Sequence, residues 1–248
     1  MSRLKATAAP RHPFPQHQVY APGTLRPNQR TQQQQDDDVR VFYDHWKASY
    51  LVAAGATPSG DPLYRVAFGA TPPARDRTVS EGQGYGMIIV ALMAGHDPQA
   101  QTIFDGLWEF ALAHPSTIDS RLMDYAVPDS DTGDDSAFDG DADIAYGLLL
   151  ADRQWQSDGR IDYRAAAATV ITAILESTIG PASRLPMLGD WVDPGGVKYN
   201  QYTPRSSDFM PAHFRAYGRA TANPVWSTVA AGAAKAGKTL DQIDRPVR

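Results

Sequence analysis

Apolar residues recur along the chain at helical spacing, in stripes separated by turns rich in glycine, proline and aspartate, and strict period-two alternation is almost absent. The first stripe, Val39, Phe42, Tyr43, Trp46 and Tyr50, follows three aspartates, Asp36 to Asp38, whose carboxylates suit the positive end of a helix. Continued in this way, the spacing predicts seven helices at about 38–53, 81–96, 99–113, 140–156, 161–178, 207–221 and 223–236. The fold class is all-α. His114-Pro115, Asp158-Gly159 and Gly180-Pro181 supply the breaks. Two long connections, 114–139 and 181–206, are the places where a helical scaffold builds sites.

Residues 1–35 are rich in proline and end in the run Gln32 to Gln35, so they cannot bury enough apolar surface to order by themselves; they read as a tail or an extended strap before a helical domain at 36–248. Composition then narrows the function classes. Of 248 residues, 42% are hydrophobic, enough for a substantial core. The net charge of −5 disfavours nucleic acid and anionic membrane as partners. The absence of cysteine removes disulfides, thiolate metal sites and a cysteine nucleophile. No apolar run is long enough to span a membrane, and Met1 to Pro15 lacks the apolar core of a signal peptide.

Candidate chemistry begins at Ser80-Glu81-Gly82-Gln83-Gly84-Tyr85-Gly86-Met87, which runs into the apolar Ile88, Ile89, Ala91 and Leu92. Ser80 and Gln83 have capping-box spacing. Three glycines in one opening turn each cost about 1 kcal/mol relative to alanine, so close approach by a ligand or by a neighbouring helix must require them. Either would place Glu81 in a crowded, partly dehydrated setting that raises a carboxyl pKa, as a general acid needs; without it, Glu81 is a first-turn carboxylate favoured by the helix dipole. No strand precedes the motif, which argues against a dinucleotide loop.

Asp124, Asp129, Asp131, Asp134, Asp135, Asp139, Asp141 and Asp143 form a second concentration. An EF-hand loop from Asp129 would have Asp134 and Gly140 where glycine and glutamate belong, and one from Asp139 has Ile144 at the sixth position, so a calcium loop fails in both frames. Asp139 or Asp141 could instead cap the helix carrying Ile144, Leu148, Ala151 and Trp155. Carboxylates at two helix starts, Glu81 and Asp139, suggest a cleft at one end of the array, and paired carboxyls suit glycoside hydrolysis. His45, His96, His114 and His213 lack metal-ligand spacing, and no cofactor or metal is expected. Trp46, Trp108 and Trp155 fall on apolar stripes as core residues. Leu188-Gly189-Asp190-Trp191, followed by Tyr199 and Tyr202, places aromatic rings in a loop, where they either anchor packing or stack on a sugar ring.

These segments resemble glycoside hydrolase family 8. The Ser80 to Met87 motif is similar to its acid-bearing segment, and Ala137-Phe138-Asp139-Gly140-Asp141-Ala142-Asp143-Ile144-Ala145 to its second signature. The resemblance runs from about Thr24 to Val229 and takes in Gly189-Asp190-Trp191 and Ser206 to Pro211. It implies an (α/α)6 barrel that cleaves β-1,4-linked glucan with inversion and is secreted. It also implies that Glu81 is the general acid, that Asp139 binds and distorts the sugar at the cleavage point, and that Trp191 stacks in a neighbouring subsite; Tyr85 and Tyr202 are further candidate substrate-binding residues. Phe138 and Gly147 depart mildly from the family pattern.

Seven helices are fewer than the twelve of such a barrel, and nothing in Lys238 to Arg248 resembles the later segment in which cellulase-type members carry the catalytic base. The incomplete barrel should expose apolar faces and favour self-association. Asp208, standing where other members commonly have tyrosine, is the candidate substitute base, or else a helix N-cap. Three readings remain open: a β-glucan hydrolase, with chitosan or xylan as alternative substrates; a non-catalytic carbohydrate-binding remnant; and a calcium-dependent structural module.

Overall fold

The computed structural model describes residues 8–128 and 134–243, with the backbone alone from 238 onward. Among them are seven α-helices: α1 Gln32–Tyr50, α2 Ser80–Leu92, α3 Ala100–Ala113, α4 Phe138–Trp155, α5 Tyr163–Ser177, α6 Pro211–Thr221 and α7 Val225–Ile243. Each predicted helix has a counterpart. The helical class holds, with two small additions: a hairpin of β1 Leu51–Ala56 and β2 Pro62–Val66, and a short antiparallel pair, β3 Thr78–Val79 with β4 Ala126–Val127.

Several boundaries differ, α7 running on to Ile243 and α6 starting only at Pro211, and three of the differences have clear local reasons. Thr31 and Gln34 form a reciprocal cap, so α1 begins at Gln32 and the aspartates lie inside it. Its stripe ends at Tyr50 because the next residues turn back as β1, through a loop in which Gly60 has φ +87°. The hairpin then packs on α3, where a Cβ on Gly106 would lie 2.6 Å from the Tyr64 ring. α2 stops at Leu92 because Gly95, at φ +103°, lies against Pro13 of the N-terminal segment.

α2 and α4 run side by side in the same direction, with Ser80, Gly84 and Met87 meeting Gly140, Asp143 and Gly147 in order, while α3, α5 and α7 pack on α2, α4 and α6 respectively. The tightest contact joins α2 to α4. A Cβ on Gly84 would lie 2.6 Å from Asp143 Cβ, one on Gly140 2.5 Å from Ser80 Cβ, and one on Gly147 2.9 Å from Met87 Cβ. These glycines let the two backbones approach closely, and Met87, Val90, Phe104, Leu107, Leu148 and Ile174 complete a dry core around them. Trp108 and Trp155 are buried in that core, and Trp46 packs against it.

At the other end of the same helices the N-terminal segment is a strap. The Gln154 amide donates to the carbonyls of His12 and Ala91, at 2.9 and 2.8 Å, and Phe14 N–H donates to the Ala94 carbonyl at 2.7 Å. His17 meets Asp36 of α1 at 2.8 Å. Between strap, α1 and the last turns of α2 and α4 lies an apolar groove of about 870 Å³, lined among others by Phe14, Phe42, Trp46, Ile89, Leu92 and Leu150. Phe42 is 75% exposed there. No described helix is long and apolar enough to cross a membrane.

Candidate functional site

The starts of α2 and α4 lie side by side because Gly140 sits on Ser80 and Gly84 on Asp143, which places Glu81 and Asp139 at one end of the helical array. The expected capping box does not form. Gln83 turns inward, accepting from Val66 N–H at 3.0 Å and donating to the carbonyls of Leu107 and Tyr64 at 2.9 and 3.2 Å. Ser80 is held through its backbone, N–H to the Tyr125 carbonyl at 3.0 Å, while its buried hydroxyl makes no hydrogen bond. Gly84 therefore serves the neighbouring helix α4 and Gly86 the strand residue Val66, where a Cβ would clash with its Cγ2, and Glu81 is exposed rather than dehydrated. Its carboxylate accepts from the Tyr85 hydroxyl at 3.1 Å, one turn on. Partial burial and that carboxylate push the Tyr85 hydroxyl up to about 12, so it stays a donor.

Neither Asp139 nor Asp141 caps α4; the cap position is Ala137, with no side-chain bond. Asp139 accepts from Gly140 N–H at 2.9 Å and pairs with Arg205 Nη2 at 3.3 Å. Asp141 is fully buried, accepts from Met123 N–H at 2.9 Å, and is driven well above the usual carboxylate range by burial. Asp143 pairs with His213 of α6 at 2.8 Å, with the Tyr146 ring stacked on the imidazole. His213 thus has a structural partner that its spacing in sequence did not reveal. Asp129 and Asp131 lie outside the described residues. Among the described residues no three metal-ligating side chains converge as a metal site.

Asp208 closes a single 3-10 turn, Ser206–Asp208, and does not cap α6, whose cap position is Met210. It is wholly buried and meets Arg205 Nε at 3.0 Å. Burial raises its pKa to about 6 against the opposing pull of Arg205. Desolvation lowers the Arg205 pKa, but the carboxylates of Asp208, Asp139 and Glu81 raise it by more. Three of the sequence candidates therefore surround one guanidinium that sequence reasoning missed. Arg205 lies at the end of a loop with no periodicity to mark it, and only its position ahead of Ser206 to Pro211 hinted at it.

The Gly189-Asp190-Trp191 loop is tied down by its aspartate. Asp190 accepts from the Ser116 hydroxyl at 2.6 Å, Asp119 N–H at 3.2 Å and Ser136 N–H at 2.8 Å, joining three loops at the site end. A Cβ on Gly189 would clash with the Ser136 carbonyl and lie 2.8 Å from Trp191 Nε1, so only glycine lets the loop fold over. Trp191 is 40% exposed and meets Tyr199 edge-on at 5.7 Å. Tyr202 is also exposed, on a turn in which Gln201 Oε1 accepts from Ala182 and Ser183 N–H at 2.7 and 3.0 Å. Exposed rings on a rigid loop can stack on a flat ligand without ordering cost.

Over residues 29–239 the chain matches the model of glycosyl hydrolases family 8. It is 42% identical over 227 residues to a β-glucanase of Niallia circulans, covering 90% of this chain and 53% of that protein. It is 40% identical over 232 residues to an endoglucanase of Bacillus sp. strain KSM-330, covering 92% and 49%. The solved apo structure of a β-1,3-1,4-glucanase from Paenibacillus sp. X4 superimposes with a TM-score of 0.81 at 41% identity, over 91% of this chain and 57% of that one. The chain thus spans about half the length of the curated relatives it matches, and its helices are those of an incomplete (α/α)6 barrel. Paired helix starts bearing Glu81 and Asp139, the Gly189 to Trp191 loop and these matches make the chain a member of glycosyl hydrolases family 8.

Proposed function

We propose that this chain is the acid-bearing part of an inverting hydrolase of β-glucan, acting on cellulose-type or mixed-linkage polymer. The observation that carries the reading is the junction of α2 and α4, which holds Glu81 and Asp139 at adjacent helix starts beside Arg205 and the loop of Trp191. The names of its relatives, β-glucanase, endoglucanase and β-1,3-1,4-glucanase, support the choice of glucan over xylan or chitosan. In this reading Glu81 donates its proton to the glycosidic oxygen, with the Tyr85 hydroxyl orienting its carboxyl. Asp139 grips the sugar at the cleavage point, while Trp191 and Tyr202 offer stacking faces to flanking sugars. Asp208, with its pKa near 6, is the proposed proton acceptor for the attacking water. A polymer substrate also places the protein outside the cell.

A second reading, a carbohydrate-binding remnant of the same fold, is favoured by one feature: Glu81 is exposed and Asp208 is buried behind Arg205. Reducing-sugar release from barley β-glucan and from carboxymethylcellulose separates the two. For the hydrolase reading, release falls by about 10²–10⁴-fold in Glu81→Gln while the variant stays folded. Equal release from both proteins would remove Glu81 from the chemistry, and none from either would favour the binding module.

A further inference from the structure

We propose that Arg205 determines substrate charge: it covers Asp139 with a fixed positive charge and so directs the cleft toward neutral β-glucan and away from polymers of cationic amino sugars. The inference rests on the carbohydrate reading above and deepens it. Arg205 spans two environments. Its Nε is anchored 3.0 Å from Asp208, which is completely buried, and its Nη2 reaches 3.3 Å to Asp139 at the start of α4. The side chain is itself 43% exposed, so the guanidinium is pinned from below and open above. A planar fork held by a buried carboxylate keeps its orientation better than a lysine on a flexible stem.

The consequence is electrostatic. An ammonium on a sugar ring brought up to Asp139 would find that carboxylate already paired and a like charge beside it that offsets the pull of the nearby Glu81, whereas a hydroxyl could share hydrogen bonds with both partners. Lys198, whose ammonium lies 4.8 Å from the centroid of the Tyr199 ring, adds a second positive charge near the Trp191 rings. Discrimination of this kind works by repelling the wrong ligand as much as by attracting the right one. Replacing Arg205 by glutamine would leave Asp208 buried without its cation, so it would take up a proton, while Asp139 would face the cleft as an unpaired carboxylate.

The test is calorimetric binding of a mixed-linkage glucan tetrasaccharide and of a glucosamine tetramer to the 248-residue protein and to Arg205→Gln and Arg205→Lys. We expect the unsubstituted protein to favour the neutral sugar at least tenfold. In Arg205→Gln the ratio should move about tenfold toward the glucosamine tetramer, a gain that 0.5 M salt removes, and Arg205→Lys should keep the original order. If Arg205→Gln does not fold, the double variant Arg205→Gln/Asp208→Asn, which leaves no unpaired buried carboxylate, carries the same expectation. An unchanged ratio, or equal loss of both ligands, would show that Arg205 only pins the turn, and preference of the unsubstituted protein for glucosamine would also overturn the proposal. Binding of neither sugar by folded protein would instead overturn the carbohydrate reading itself.

Discussion

The two ends of α2 and α4 are built differently. At their starts, Gly84, Gly140 and Ser80 bring backbones together, Asp190 gathers three loops, and carboxylates share Arg205. At their ends, the strap covers part of the surface and leaves an apolar groove in which Phe42 and Leu92 stand half-exposed or more. Precise placement of side chains needs close backbone approach and directional partners, and the site end has both, although the Ser80 hydroxyl and Asp143 Oδ2 are buried there without a hydrogen bond. The groove end is tied by the bonds of Gln154, Phe14 and His17, but the groove itself presents mainly exposed apolar side chains, which favour burial without specifying a geometry.

The largest expected effect comes from breaking the close approach at the site end. Gly140→Val would drive its side chain into Ser80 and should cost about 3 kcal/mol or more in urea unfolding, because backbone atoms cannot move aside as a flexible side chain can. Asp190→Ala should cost about 2–3 kcal/mol, since three donors lose a charged acceptor, and hydrogen exchange at the Ser136 and Asp119 amides should accelerate. Asp208→Asn sharpens the contrast through pH. A carboxyl whose pKa is raised from 3.8 to about 6 in the folded state binds more protons folded than unfolded, so its contribution to stability declines as pH rises from about 4 to 6. The asparagine variant should lack that decline, which is on the order of 2 kcal/mol, in melts taken across this range. The smallest effect belongs to the groove end: Phe42→Ser should change unfolding free energy by less than about 0.5 kcal/mol while reducing the fluorescence of an apolar dye bound to the protein.

Much of this architecture is legible in the sequence. Seven helices follow from spacing of apolar residues, and the buried Trp108 and Trp155 sit on the predicted stripes. The glycine cluster announced a close contact. Its direction was not legible: the same glycines fit a ligand or a helix, and in the structure Gly84 meets Asp143 and Gly140 of α4, Gly86 meets Val66 of β2, and Glu81 stands exposed. The capping roles of Ser80, Asp139 and Asp208 failed for separate reasons: Ser80 packs on Gly140, Asp139 pairs with the distant Arg205, and Asp208 is buried against Arg205 three residues before it. β1 was absorbed into the first helix because Leu51 to Ala53 continue an apolar run that periodicity alone cannot end.

The sequence by itself determined the helical class, the order of the elements and the family motifs, since these depend on spacing between near neighbours and on residue types that a backbone contact or a carboxylate chemistry demands. Only the tertiary structure decided which charges share a partner. Arg205 lies 66 residues from Asp139 and three from Asp208, yet its guanidinium binds both, because the packing of α4 against α6 and the Ser206–Asp208 turn brings the connecting loop back to the start of α4. Electrostatic energy falls with distance in space and has no memory of distance along the chain, so the ionisation of the site is a property of the fold.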